Sequence, residues 1–322
     1  MNYKTILIFF FCVLMAAACG TDNASPEKNN TTNLPDQFLV VLGVAQDAGY
    51  PQIGCEKECC KMVWEGKEEK KHATCLALVD RKDRKYWLFE ATPDIREQLK
   101  ALQSYINPSP DYTPDGIFLT HAHIGHYTGL MQFGREAMGA SEIPVWAMPR
   151  MDTFLRTNGP WSQLVNLENI SLQRLHADSS VEISQDLSVI PVVVPHRDEY
   201  SETVGFKISS ANRRILFIPD IDKWEKWKWD IREEVKNFDK VLIDGSFFRN
   251  GELPGRDMSE IPHPIVEESM KLLSGLPDSL KRRVTFIHFN HTNPLLRKNT
   301  REREEVKKAG YSFAEEGMVI EL

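Results

Sequence analysis

The residues of this chain best suited to chemistry are three imidazoles within six positions. His121, His123 and His126 lie in the segment THAHIGH, which closes the apolar run IFL. Neutral imidazole is the commonest protein ligand for zinc and similar divalent ions, and carboxylate complements it. In H-x-H the alternate side chains of an extended segment point the same way, so His121 and His123 can grip one ion, with His126 following beyond a turn. Ligand-type residues recur where other apolar runs end: His196 after VIPVVVP, Asp220 and Asp222 after RILFIP, Asp244 in KVLID, His288 and His291 after VTFI. With His263 in EIPHP, seven of the nine histidines stand in or near such positions. Strand ends along one edge of a sheet can converge on a point, which is what a metal-dependent site needs. His263 itself reads either as a substrate-loop residue or as ordinary surface. No G-x-S-x-G, P-loop or dinucleotide fingerprint offers a competing chemistry.

The elements that must position these residues follow from hydrophobic pattern. FLVVLG at 38–43 is a continuous apolar run bounded by glycine, as a buried strand should be. CLALVD and KYWLFEA flank residues 81–84 as a hairpin, and GIFLT, SVIPVVV, VGFKIS, RRILFIP, KVLID, VTFIHF and GMVIEL supply further strands. A helix is expected from Thr92 and Pro93 to about residue 106, with Ile95, Leu99 and Leu102 on one face. Others are expected from Tyr127, over 225–238, over 264–273 and over 300–309. Strands alternate with helices without a second linker or a fixed-period repeat. The expectation is therefore a single α/β domain with mixed sheets over 37–322.

The 322 residues are 42% hydrophobic and 26% charged with a net charge of −7, a balance that allows a packed core and disfavours nucleic acid as the partner. Trp224, Trp227 and Trp229 read as helical or edge packing. Asn290, Thr292, Asn293 and Pro294 are expected to shape the rim of a site.

The first residues, MNYKTILIFFFCVLMAAACG, combine a basic start, an apolar stretch and small residues, which reads as a secretory signal over 1–18. Cys19 after three alanines resembles a bacterial lipobox. The polar segment over 19–36 then reads as a flexible tether, giving an exported domain lipid-anchored to the bacterial envelope through Cys19. Cys12 leaves with the signal, and Cys75 reads as a buried strand residue. Cys55, Cys59 and Cys60 in GCEKECC suit a structural zinc or, in an oxidising compartment, a disulfide; His72 is the candidate fourth zinc ligand.

The histidine pattern resembles the metallo-β-lactamase superfold, whose signature is H-x-H-x-D-H after a strand, followed by a later His, a bridging Asp and a last His. The segments VLGVAQDAGYPQIGCEKECC, LFEATPDIREQL, PHRDEYSETVGF, LIDGSFF and IHFNHTNPLL narrow this to the coenzyme PQQ biosynthesis protein B family. The resemblance implies an αββα sandwich of two mixed sheets flanked by helices, with the site at the sheet edge. It implies a first metal on His121, His123 and His196 with Asp220, and a second on His126, Asp220 and His288. The ions would be zinc, one or two, with iron or manganese as alternatives. The activity implied is hydrolysis of a small-molecule ester, lactone, phosphodiester or amide by a metal-bound hydroxide. Asp220 would orient the water, and His288 or His291 would assist the leaving group. The alternatives are an oxygenase-type enzyme of PQQ-like cofactor biosynthesis and a non-catalytic surface binding module. Gly125 stands where the signature has its aspartate, so a single ion is expected, and restoring Asp at 125 is expected to add a second.

Overall fold

The computed structural model describes residues 34–106 and 112–322. The segment read as a signal over 1–18, Cys19 and the expected tether up to residue 33 lie outside the described residues. Two seven-stranded sheets face each other. The first contains β1 (Gln37–Gly43), β2 (Cys75–Asp80), β3 (Lys85–Phe89), β4 (Gly116–Phe118), β5 (Ile143–Ala147), β6 (Ile170–Arg174) and β14 (Val319–Glu321), in the order β14-β1-β2-β3-β4-β5-β6. The second contains β7 (Val181–Glu182), β8 (Ser188–Val193), β9 (Val204–Ser209), β10 (Arg214–Ile218), β11 (Lys240–Asp244), β12 (Val284–Ile287) and β13 (Ser312–Phe313), in the order β13-β12-β11-β10-β9-β8-β7.

Why the strand sequences are uniformly apolar follows from the layering. Leu39 and Val41 of β1 point between the sheets, whereas Phe38, Val40 and Leu42 pack beneath Ile95, Leu99, Leu102 and Leu130 of the outer helical layer. Both faces are buried, so alternation disappears and a continuous hydrophobic run results. The middle of the sandwich is an aromatic stack. Phe118 lies between Phe89 and Trp146 of the adjacent strands, with ring centroids at 5.2 and 4.7 Å, and Phe206 of the facing sheet meets Phe118 edge-on at 5.7 Å. This stack supports β4, the strand that delivers THAHIGH. Phe118→Ala should destabilise the protein by about 3–5 kcal/mol, the usual range for emptying a rigid aromatic site. Denaturant unfolding measures this, and a loss below about 1 kcal/mol would show that the stack can collapse around the void.

Strand directions decide where the chemistry goes. In the first sheet β1 and β3 are each antiparallel to β2, and β4 is parallel to β3, so β1, β3 and β4 end at one edge. In the second, β8 and β10 are each antiparallel to β9, and β10, β11 and β12 are parallel, so these four also end together.

Several elements are shorter than their sequence patterns. The helix expected from Thr92 spans only Ile95–Leu102, because Thr92 turns its hydroxyl to the Asp94 amide and to Gln98, and Asp94 takes the cap position. The helix expected over 225–238 is a 3-10 turn, Trp224–Lys226, followed by Ile231–Asn237, whose start is set by Asp230 accepting from the Arg232 amide. The chain turns helical within THAHIGH, at Ile124, rather than from Tyr127. β5, β6 and the helices Pro149–Thr157 and Trp161–Asn166 between them were not anticipated. Trp224 and Trp227 are packing residues: both are buried, and their indole nitrogens donate to Ser269 Oγ and the Val193 carbonyl.

Candidate metal centre

Asp220, just past β10, is the hub of the site. Its Oδ2 lies 3.2 Å from His196 Nε2, 3.4 Å from His121 Nε2 and 3.9 Å from His126 Nε2, and its Oδ1 lies 3.2 Å from His263 Nδ1. The ligand atoms of His121, His123, His196 and Asp220 all fall within 4.8 Å of one another, as do those of Asp47, His126 and His288. Every one of these residues follows a strand that ends at the shared edge: Asp47 β1, the three close histidines β4, His196 β8, Asp220 β10 and His288 β12.

Four of the imidazoles are aimed in the same manner. The Nδ1 of His121 meets Thr120 Oγ1 at 2.9 Å, that of His126 faces Glu90 Oε1 at 3.2 Å, that of His196 faces Asp222 Oδ1 at 3.3 Å, and that of His288 meets Ser246 Oγ at 3.1 Å. Each ring therefore turns Nε2 inward, and all four buried Nε2 atoms lack a hydrogen-bond partner, as do Asp220 Oδ1 and Asp47 Oδ1. Orphaned buried polar atoms are costly, and imidazoles held by one nitrogen and open at the other are how proteins present metal ligands. A divalent cation fits this donor set. Glu90 and His288 reach their positions with φ of 85° and 68°, a conformation non-glycine residues adopt at a cost, here exactly where each strand turns into the site.

The charge balance points the same way. Burial opposes ionisation of Asp220, yet His196, His263 and His121 around it hold its carboxyl well below the usual range. Burial likewise disfavours a charged His126, but Glu90 and Asp47 raise it well above the ordinary imidazole value. Without a metal, a proton on His126 supplies the positive charge that these carboxylates demand. His121 goes the other way, pushed down chiefly by burial and by His126. Glu90→Gln keeps the shape but removes the charge behind His126, and should weaken metal binding about 10–100-fold, as outer partners of ligands commonly do. Competition with a chromophoric chelator measures it; unchanged affinity would mean that Glu90 is only a packing residue.

Four sequence expectations change. His291 does not join the histidine centre; its ligand atom lies with the thiols of Cys55, Cys59 and Cys60, all within 4.8 Å. It takes the place expected for His72, whose Nδ1 instead faces Glu316 at 3.1 Å. His263 is not ordinary surface but buried, with Nδ1 2.8 Å from Asp244 Oδ2. Asp222 backs His196 rather than completing a second metal set. Asp47 and Glu90 were missed altogether, although each follows a strand and the rule applied to the other strand ends would have found them. Asn290 and Asn293 tie neighbouring loops together, donating to Gln46 Oε1 and the Gly245 carbonyl, and Asn293 is buried. Among the described residues Cys55, Cys59 and Cys60 form no disulfide: Cys55 Sγ and Cys59 Sγ stand 3.6 Å apart, near the edge of about 3.8 Å expected between thiolates of a tetrahedral zinc with bonds of about 2.3 Å. Cys75 is buried in its strand, as its sequence suggested.

Comparison with known proteins agrees with this geometry. The β-lactamase superfamily domain matches residues 86–289. The coenzyme PQQ synthesis protein B of Methylobacillus flagellatus is 30% identical over 312 residues, covering 88% of this chain and 99% of that protein. The Zn(2+)-bound PqqB structure from Methylobacterium extorquens superposes with a TM-score of 0.73 at 22% identity, over 88% of this chain and 100% of that one. A diphosphatase from the PhnP family gives a TM-score of 0.58 at 23% identity, over 88% and 96% of the two chains.

Proposed function

This chain belongs to the β-lactamase superfamily and, within it, to the coenzyme PQQ synthesis protein B family, and from that premise we propose that it is a metal-dependent hydrolase of a small-molecule ester, lactone, phosphodiester or amide. The observation that carries this reading is the set of four buried imidazoles converging beside Asp220, all open at Nε2, with Nδ1 hydrogen-bonded in His121 and His288 and facing a carboxylate in His126 and His196. A divalent ion held there would lower the pKa of a water toward neutrality and polarise a carbonyl or phosphoryl oxygen. The protein's own part is positional. Asp220 Oδ2 orients the attacking water and accepts its proton. His263, hydrogen-bonded through Nδ1 to Asp244 Oδ2, also faces Asp220 Oδ1 at 3.2 Å and ties the position of Asp220 to that of Asp244 by charge. His288, backed at Nδ1 by Ser246, turns Nε2 to the centre as a ligand for such an ion. The Cys55, Cys59, Cys60 and His291 cluster is read as a structural zinc site.

The name of the relatives, coenzyme PQQ synthesis protein B, favours a second reading, a step in the making of a PQQ-like cofactor, which we take as an oxygenase-type reaction. Protein purified without added metal and assayed by elemental analysis separates the two. Zinc at the histidine centre with turnover of ester, lactone or phosphodiester substrates supports hydrolysis. Iron with oxygen uptake supports the second reading, and metal without turnover of any substrate supports a binding module. Absence of stoichiometric metal at the histidines sinks both enzymatic readings.

The location proposed is the outer or periplasmic face of a bacterial envelope, with the domain tethered to lipid through Cys19. The N-terminal sequence supports this. Metabolic labelling with a radiolabelled fatty acid should mark the wild type and not Cys19→Ser; equal labelling, or none in either, rejects the anchor.

A further inference from the structure

The second half of the centre lacks a carboxylate in the histidine segment itself, because Gly125 has no side chain. The structure shows what occupies that space. A Cβ built on Gly125 would lie 2.3 Å from the Cα of Asp47, 2.5 Å from its Oδ1 and 2.9 Å from its Cβ. Asp47 therefore stands where a side chain at 125 would begin. Its Oδ1 reaches 3.1 Å from His126 Nε2, has no hydrogen-bond partner, and shares a set of ligand atoms within 4.8 Å with His126 and His288. The loop that carries it is not free to drift. The Phe289 amide donates to the Val44 carbonyl at 2.7 Å, the Gln46 amide to the Phe289 carbonyl at 2.8 Å, and Asn290 Nδ2 to Gln46 Oε1 at 2.7 Å. The backbone next to Asp47 is thus paired with the backbone next to His288.

We infer that Asp47 supplies the carboxylate of a second metal position, with His126 and His288 and with Asp220 shared between the two, and that Gly125 is required because any side chain there would displace it. The inference rests on the metal-centre reading above and deepens it: the centre takes two ions, not the one expected from Gly125. It also reverses the expectation for Gly125→Asp. A new Cβ would meet the backbone of Asp47, not an empty ligand position, so that substitution expels the existing carboxylate.

Two variants test this from opposite sides. Asp47→Asn keeps the volume and removes the charge. Gly125→Ala keeps the carboxylate and pushes its backbone away. Zinc titration of the whole protein by calorimetry, with elemental analysis after gel filtration, reads the ions at the histidine centre separately from the cysteine cluster, which serves as the internal count. Wild type should load the centre with two ions. Each variant should weaken the second by about 100-fold or more, beyond the 10–100-fold typical of residues that only orient a ligand, and leave the first and the cysteine site unchanged. A wild-type centre that takes a single ion, or an Asp47→Asn variant with unchanged stoichiometry and affinity, overturns the inference and leaves the hydrolase reading standing. A wild-type centre that takes no ion overturns both.

Discussion

Asp220→Asn should lower the affinity of the histidine centre for its metal by more than about 100-fold, and kcat/KM by at least as much. The bound is set by comparison: residues that merely back a ligand cost about 10–100-fold when replaced, and Asp220 is in reach of three inward-facing nitrogens at once. Asparagine fills the same volume, so the loss would report charge and ligation rather than a cavity. The same change should destabilise the metal-free protein by about 3–5 kcal/mol, the usual consequence of removing one partner of a buried ion pair, because His263 and His126 keep their positive charge with one carboxylate fewer. The pH dependence has a definite sign. Burial raises the Asp220 carboxyl, but His196, His263 and His121 together hold it well below the ordinary value. A depressed carboxyl contributes stability that is complete above the unfolded value of about 3.9 and is lost as pH falls through the folded one. The stability gap between wild type and Asp220→Asn, measured without metal, should therefore be full at neutral pH and close only in strong acid. A gap that closes already near pH 6 would assign the effect to the histidines instead.

Much of this site can be read in the sequence because ligation at strand ends is a one-dimensional pattern: an apolar run, then His or Asp. That pattern locates His121, His123, His126, His196, Asp220 and His288, and the hydrophobic runs locate most strands of both sheets. What it cannot show is which strand ends share an edge with which loop. Asp47 and Gly125 are 78 positions apart in the chain, and it takes the pairing of β1 between β2 and β14, with the bonds of the Asp47 segment to Phe289 and Asn290, to set Asp47 against the histidine turn. His291 sits three residues after His288, so spacing alone favours the same centre for both. The chain turns sharply at His288, through its positive φ, and sends His291 to the cysteines. His263 follows a loop rich in Gly, Pro and charge, the composition of surface, and its burial depends on two carboxylates that lie 19 and 43 residues earlier. Helix ends were lost to side chains that compete with backbone hydrogen bonds, as at Thr92 and Asp230, which is a local effect that hydrophobic periodicity does not contain.

Cys59→Ser should remove one zinc per chain and lower Tm by on the order of 10 °C. The loop between β1 and β2 is long and contributes little regular structure beyond the helix Glu58–Trp64. It is held mainly by the cluster and its collar, in which Tyr50 donates to the Cys59 carbonyl at 2.6 Å and Trp64 Nε1 to the Cys55 carbonyl at 2.8 Å. Zinc present at about 1,000 times its dissociation constant stabilises the folded state by about 4 kcal/mol, and about 2–4 °C of Tm accompanies each kcal/mol in a domain of this size class. The thiols must lose protons to bind. Burial, partly offset by a hydrogen bond from the Gln52 backbone, pushes Cys60 up to about 12 in the metal-free cluster, so zinc uptake releases protons and affinity should fall steeply as the medium is acidified. Chelator should reproduce the Tm loss in wild type and have no further effect on Cys59→Ser. If reductant lowers Tm and chelator does not, the cluster works as a disulfide and the zinc assignment fails. The damage should also spread. His291 belongs to the cluster and His288 to the histidine centre, with only Phe289 and Asn290 between them, and both of those are bonded to the segment that carries Asp47. Loosening the cluster thus frees one side of the centre, and Cys59→Ser should weaken metal binding at His126 and His288 while leaving His121, His123 and His196, which hang from other strands, able to hold an ion.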